Sequence, residues 1–173
     1  MLKMKDILLE LRSNDDEHRK NMKNGFWGNV GAGVLPISMS TQRFLICHRS
    51  AHVQEPNTFN VWGGAIDPGE DPKEAAEREF LEESGFNKKF KMIPAYTFKA
   101  SNGHFTYHNF IGILKDEFEP NLDWESQGYK WLTYDEVKSL HHKHFGLDTL
   151  LKESDSLIKN ILDKIDKGEY KIQ

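Results

Sequence analysis

The chain has 173 residues, a formal net charge of −4, 29% charged and 38% hydrophobic residues, and a single cysteine, Cys47. That length supports one well-buried core and leaves no room for a second full domain, and the composition is that of a folded chain rather than a disordered one. The acidic balance excludes the broad basic surface that long nucleic acids require, and a lone cysteine excludes an internal disulfide or a cysteine-rich zinc site and suits a reducing compartment.

Leu2, Ile7, Leu8 and Leu11 recur at helical spacing and a polar stretch from Ser13 to Asn24 follows, so residues 1–24 read as an amino-terminal helix and lead-in. Lys3, Lys5, Asp6 and Glu10 interrupt the apolar residues, which leaves no signal peptide or membrane span there and points to a cytoplasmic protein. Gly33 to Ile37 and Phe44 to His48 read as the strands of a hairpin around the turn-rich Ser38 to Gln42. Cys47, beside Leu45 and Ile46, reads as a buried strand position. Phe59 to Ile66 alternates as a strand before the turn Asp67-Pro68-Gly69. Asp71-Pro72-Lys73-Glu74 is a helix start, with Asp71 as cap, proline at the first helical position and Glu74 three residues after the cap. Gly85 is a natural stop, so the helix runs from Pro72 to Ser84.

Met92 to Lys99, Phe105 to Leu114 and Tyr129 to Leu132 follow as strands, and Thr133 with Glu136 opens a short helix to Leu140. His141, His142 and His144 lack a matched partner pair for zinc and read as a solvated loop. Over residues 146–173, Leu147, Leu150, Leu151, Leu157, Ile158, Ile161, Leu162 and Ile165 line one side of one or two amphipathic helices. These cover the sheet or a second copy of the chain, so a homodimer stays open.

The chemistry concentrates on the Pro72 to Ser84 helix. At 100° per residue Glu79, Glu82 and Glu83 fall within an arc of about 100°. A solvated acidic face is the plain explanation of such a cluster. Ala75 and Ala76 one turn earlier, and Gly63-Gly64 on the entering strand, instead leave space in front of the carboxylates. Hard oxygen ligands around a space suit magnesium or manganese.

From Gly64 to Phe86 the sequence fits the pattern G-x5-E-x7-R-E-U-x-E-E-x-G-U, with U bulky and apolar, at every fixed position. A chance match at a given start is on the order of 10⁻⁸, and the chain thus resembles the Nudix hydrolases. The resemblance implies an α/β fold, an α/β/α sandwich with a mixed sheet over residues 25–145, carrying amino- and carboxy-terminal helical additions. It implies Glu79, Glu82, Glu83 and the Gly63 carbonyl as ligands of Mg²⁺ or Mn²⁺, with Arg78 and Glu70 orienting the metal-binding helix. The general base is then either Glu79 or Glu82 in the motif, or Glu125 in a later loop, which precedes Trp131 at the spacing members often show. The stretch from Arg49 to Gly64 has the length found in MutT-type members, which makes Arg49 a phosphate clamp or else a surface ion pair. Trp62 stands where many members have proline, and either stacks on a base at the pocket rim or caps the core. Phe105, Tyr107, Asn109 and Ile111 share a strand face, either as core or with Tyr107 or Asn109 touching a nucleobase.

The expected function is metal-dependent hydrolysis of a phosphate anhydride in a small nucleotide, either a nucleoside triphosphate or a nucleoside diphosphate linked to another group. Pyrophosphate removal from RNA 5′ ends and non-catalytic nucleotide binding on the same scaffold are the alternatives.

Overall fold

A computed structural model describes residues 30–101 and 103–173; the helix expected over Leu2 to Leu11 and its polar lead-in lie outside them. The elements are β1 (Val30–Ser38), β2 (Phe44–Arg49), β3 (Phe59–Asn60), β4 (Trp62–Ala65), α1 (Pro72–Ser84), β5 (Lys91–Lys99), β6 (Thr106–Leu114), β7 (Ser126–Leu132), α2 (Tyr134–Ser139), α3 (Phe145–Glu153) and α4 (Asp155–Asp166).

β1 organises the molecule because it is apolar on both sides. Ala32 and Val34 belong to one buried cluster, Leu35 and Ile37 to the other, the pattern of a strand covered on both faces. It pairs in parallel with β6 along its whole length, from Val30 with Thr106 to Ser38 with Leu114. On its other edge it changes partner midway. Gly31 to Val34 pair antiparallel with Ala65 to Trp62 of β4, and Ile37 pairs with Phe44 of β2. A mixed seven-stranded sheet results, in the order β3-β2-β1-β6-β5, with β4 on β1 and β7 on β2. This change of partner splits the strand expected over Phe59 to Ile66 at Val61: Asn60 stays with Cys47 of β2, and Trp62 moves to Val34 of β1.

Trp62 closes the resulting fork. Its ring is fully buried and its Nε1–H donates to the Leu45 carbonyl of β2 at 3.1 Å. The tryptophan expected at a pocket rim or in the core is therefore in the core, out of reach of a substrate. β7 begins at Ser126, before the expected Tyr129, because its pairing follows β2 as far as Arg49.

α1 has the expected bounds. Asp71 and Glu74 form a reciprocal capping box, Pro72 occupies the first turn, and Gly85 ends the helix in the left-handed region at φ 72°. Ala75, Ala76 and Phe80 pack on Ala32, Val34 and Trp62. On the opposite sheet face Leu147, Leu150, Leu151, Ile158 and Ile161 of α3 and α4 cover Leu35, Ile37, Phe44, Ile46, Ile111 and Ile113. The carboxy-terminal apolar stripe thus supplies the second helical layer of an α/β/α sandwich. Among the described residues no helix is long and apolar enough to cross a membrane.

Candidate functional site

The site forms where β4 passes under α1. The two glycines of β4 are needed on opposite faces. A Cβ on Gly63 would run into the Ala32 carbonyl and the Gly33 Cα of β1, and one on Gly64 would lie 2.8 Å from the Glu79 carboxylate. The bare Gly64 lets α1 lower its acidic face onto the strand, and the bare Gly63 makes room for β1 and Tyr107 on the other side. Glu83 is 5% exposed and its Oε2 accepts the Gly63 N–H at 2.9 Å. Glu79 lies one turn earlier, while Glu82 remains outermost, its side chain 56% exposed.

Arg78 ties the preceding loop to the helix. Its Nε and Nη2 donate to both Glu70 carboxylate oxygens at 2.8 and 3.0 Å, its Nη2 also to the Ala65 carbonyl at 3.1 Å, and its Nη1 to Glu79 Oε1 at 2.8 Å. This fork geometry is specific to arginine. The Arg78 hydrogen bond holds the Glu70 carboxyl below its ordinary range.

A second loop completes the acidic cluster. The Glu125 N–H donates to Asp123 Oδ1 at 3.0 Å, and the Ser50 N–H donates to the Glu125 carbonyl at 2.8 Å, which fastens this turn to the residue after Arg49. Burial first, then the charges of Asp123 and Glu79, pushes the Glu125 carboxyl up to about 7, against the lowering effect of Arg49. Glu83 is raised well above its ordinary value by burial and then by Glu125, while Glu79 and Asp123 are raised chiefly by burial. Arg49 donates through Nε and Nη2 to the Gln54 carbonyl at 3.0 and 2.8 Å.

On the sheet face away from α1, Tyr107 lies in a trench made by glycines. A Cβ on Gly31 would meet its ring at 2.7 Å, and one on Gly63 would meet its hydroxyl at 2.6 Å; Gly33 lies beneath that hydroxyl. Asn109, two residues along, is 4% exposed and donates through Nδ2 to the Tyr96 carbonyl at 2.9 Å.

The structure therefore gathers Gly63, Glu70, Arg78, Glu79, Glu82, Glu83 and Glu125 at one end of the sandwich, with Arg49 joined to the Glu125 turn and Tyr107 and Asn109 on the facing side. It also brings in Asp123, which the sequence reading passed over as a functional residue, whose Oδ1 accepts the Glu125 N–H and whose charge acts on Glu83 and Glu125. Its place two residues before Glu125 in the same polar loop was the available signal. Cys47 is buried against Ser126 Oγ at 2.9 Å, its thiol pushed up to about 12 by burial and by Glu83, so it is no nucleophile at neutral pH. His144 is not solvated: its Nδ1 accepts the Gly146 N–H at 3.0 Å and caps α3. Burial, with Arg49 adding to it, lowers its pKa to about 4, so its 3.1 Å contact with Glu55 is a hydrogen bond from a neutral ring.

Among the described residues no three His, Cys, Asp or Glu side chains are already gathered as a metal cage. Glu79 and Glu83 are held instead by Arg78 and the Gly63 N–H. The donor set nevertheless fits a hard divalent cation: every candidate ligand is oxygen, and the carboxyls of Glu79, Glu83, Asp123 and Glu125, raised first by burial and then by neighbouring carboxylates, are groups whose ionised form such a cation would stabilise.

The family model described as NUDIX domain matches residues 28–152. The protein named "Putative 8-oxo-dGTP diphosphatase 3" of Mycobacterium tuberculosis is 27% identical over 124 residues, covering 66% of this chain and 57% of its own length. The CMP-5′-(N-acetyl-N-hydroxy-3-aminopropyl)phosphonate hydrolase of Streptomyces rubellomurinus is 27% identical over 112 residues, covering 64% of this chain and 54% of its own length. The chain thus spans just over half the length of these relatives. Among solved structures, a Nudix hydrolase from M. smegmatis, RenU, superposes with TM-score 0.64 at 23% identity, covering 81% of this chain and 89% of the other. A C. elegans Ap4A hydrolase binary complex superposes with TM-score 0.62 at 21% identity, covering 75% and 98%. These two likenesses establish the fold.

Proposed function

The chain belongs to the NUDIX domain family, and from that premise we propose that it is a metal-dependent pyrophosphohydrolase of small nucleotides. Its substrate is a nucleoside triphosphate or a nucleoside diphosphate linked to another group, cleaved at a phosphate anhydride. The observation that carries this reading is the placement of Glu79 and Glu83 of α1 over Gly63 and Gly64 of β4, with Glu83 accepting the Gly63 N–H and the charges of Glu125 and Asp123 acting on Glu83 from the later loop. The names of the relatives, which mention 8-oxo-dGTP and Ap4A, support a nucleotide over other anhydrides.

Glu79, Glu82, Glu83 and the Gly63 carbonyl hold Mg²⁺ or Mn²⁺ in this proposal. A bound divalent cation supplies charge neutralisation at the phosphates and makes water a better nucleophile. Glu125 accepts the proton of the attacking water; a carboxyl near 7 is matched to that role at neutral pH. Arg49 uses its remaining donor capacity to grip a phosphate, while Arg78 and Glu70 keep α1 and the loop before it in register. All the motif carboxylates are present, which supports turnover over passive binding. Lys88, Lys89 and Lys115 line a cleft with Phe86 and Phe118. Asp116 and Glu117 line the same cleft and offset most of this positive charge, so it does not favour the RNA-end reading.

The test is to incubate the purified chain with Mg²⁺ and a panel of nucleotides, with and without excess chelator, and to identify products by chromatography. Anhydride cleavage that stops on chelation, and that falls by about 10² to 10⁴ in Glu125→Gln, is the expected result. No cleavage of any nucleotide, or full activity in chelator, would overturn the proposal.

A further inference from the structure

Among the described residues three buried side-chain polar atoms have no hydrogen-bond partner: Gln54 Nε2, Asn60 Oδ1 and Asn109 Oδ1. Buried polar groups are rarely left so, because desolvation without a partner is costly. Asn109 stands on the sheet face that carries Tyr107. It pairs with Gly33 of β1, which pairs in turn with Gly63 of β4, placing Asn109 about 10 Å from Gly63 at ordinary strand spacing.

The orientation of its amide is fixed. Nδ2 donates to the Tyr96 carbonyl of β5, and exchanging the two ends would set Oδ1 against that carbonyl, acceptor to acceptor. Oδ1 is thereby left on the β1 side, over the strand where Gly31 and Gly33 carry no side chain and Tyr107 lies flat. Asn60 Oδ1, the second orphan acceptor, lies 3.8 Å from where a Cβ on Gly146 would stand, at the start of α3, which belongs to the layer covering this face. An orphan acceptor at 4% exposure calls for a hydrogen-bond donor.

Resting on the hydrolase reading above, we propose that Asn109 Oδ1 accepts an N–H from the edge of the substrate's nucleobase and so determines which bases are taken. Arg49 and the acidic cluster hold the phosphates, and the base lies against the Tyr107 ring that fills the glycine trench. A site built to accept a hydrogen bond penalises a ligand lacking the donor, because the acceptor then stays buried and unpaired.

The experiment compares kcat/KM for GTP, ATP and CTP with that for purine riboside 5′-triphosphate, whose ring carries no N–H. Wild type is expected to favour at least one donor-bearing base by about tenfold or more. Asn109→Leu is expected to bring that preference within about threefold, through a fall in kcat/KM for the donor-bearing nucleotides larger than any change for the purine riboside compound. Should Asn109→Leu not fold, Asn109→Ala removes the acceptor without added bulk. No preference in wild type, or an undiminished preference in a folded variant, overturns the assignment. Calorimetric binding of GMP, AMP and CMP against purine riboside monophosphate separates the two readings. Selective binding without turnover of any triphosphate removes the hydrolase reading alone, and turnover without base preference removes this one alone.

Discussion

Glu83 combines the deepest burial among the site carboxylates with a hydrogen bond that a neutral amide can also accept. Glu83→Gln keeps the oxygen facing the Gly63 N–H and removes a charge that burial and Glu125 disfavour. The expected result is turnover reduced by about 10³-fold or more with an unchanged or higher Tm in metal-free buffer at pH 8. Parallel melting and rate measurements decide it, and a Tm lowered by several degrees would make the charge structural. The neighbouring glycines separate fold from function in the same way. A Cβ at Gly63 meets backbone on β1 that has no room to yield, whereas one at Gly64 meets the end of the Glu79 side chain. Gly63→Ala should cost about 3 kcal/mol or more in denaturant unfolding. Gly64→Ala should fold, displace Glu79, and raise the Mg²⁺ concentration for half-maximal rate by about tenfold.

At the scale of the element, α1 is stable through local signals and useful through its facing strand. Its cap lies at the far end from Glu83, so Asp71→Ala should remove about 1 kcal/mol of stability and leave kcat unchanged; a matching fall in kcat would show that the cap positions the carboxylates. The same locality explains why α1 was readable from the sequence: Asp71, Pro72, Glu74 and Gly85 each act within a turn of themselves, and the motif spacing set Glu79 and Glu83 on one side. The rest of the site depends on pairings between distant segments. The split at Val61 follows from β1 changing partner, the burial of Trp62 follows from that split, and neither leaves a mark in local alternation. Tyr107 could be put on a strand face, but its seat on Gly31, Gly33 and Gly63 required the parallel register of β1 with β6. His144 read as loop because its capping bond is made to α3, whose start was set only approximately by the apolar stripe.

Across the whole molecule the acidic balance is unevenly spent, and its pH dependence follows. Glu79, Glu83, Asp123 and Glu125 have raised pKa values in the folded chain, Glu125 up to about 7. The folded state therefore binds their protons more tightly than the unfolded state does. Their contribution to stability is fully present below the ordinary carboxylate range and is lost as pH rises through the folded values. Glu70, Glu117, Glu136 and Asp155 are lowered, so what they contribute is lost only as pH falls below the ordinary range. His144, lowered to about 4, works in the opposite direction as pH falls below its ordinary value of about 6.5, and between about pH 5 and 8 the raised carboxylates together outweigh it and govern the slope. The metal-free chain is thus expected to melt at a higher temperature at pH 6 than at pH 8. A cation that binds the ionised cluster stabilises the folded state by mass action and competes with protons for the same oxygens. Saturating Mg²⁺ should therefore raise Tm more at pH 8 than at pH 6, and most of that difference should vanish in Glu83→Gln. Melting curves at both pH values, with chelator or with Mg²⁺, measure all of these. Equal Mg²⁺ shifts at the two pH values would place the cation away from Glu83 and Glu125, and a metal-free Tm that rises from pH 6 to 8 would mean that the carboxylates are not crowded in solution.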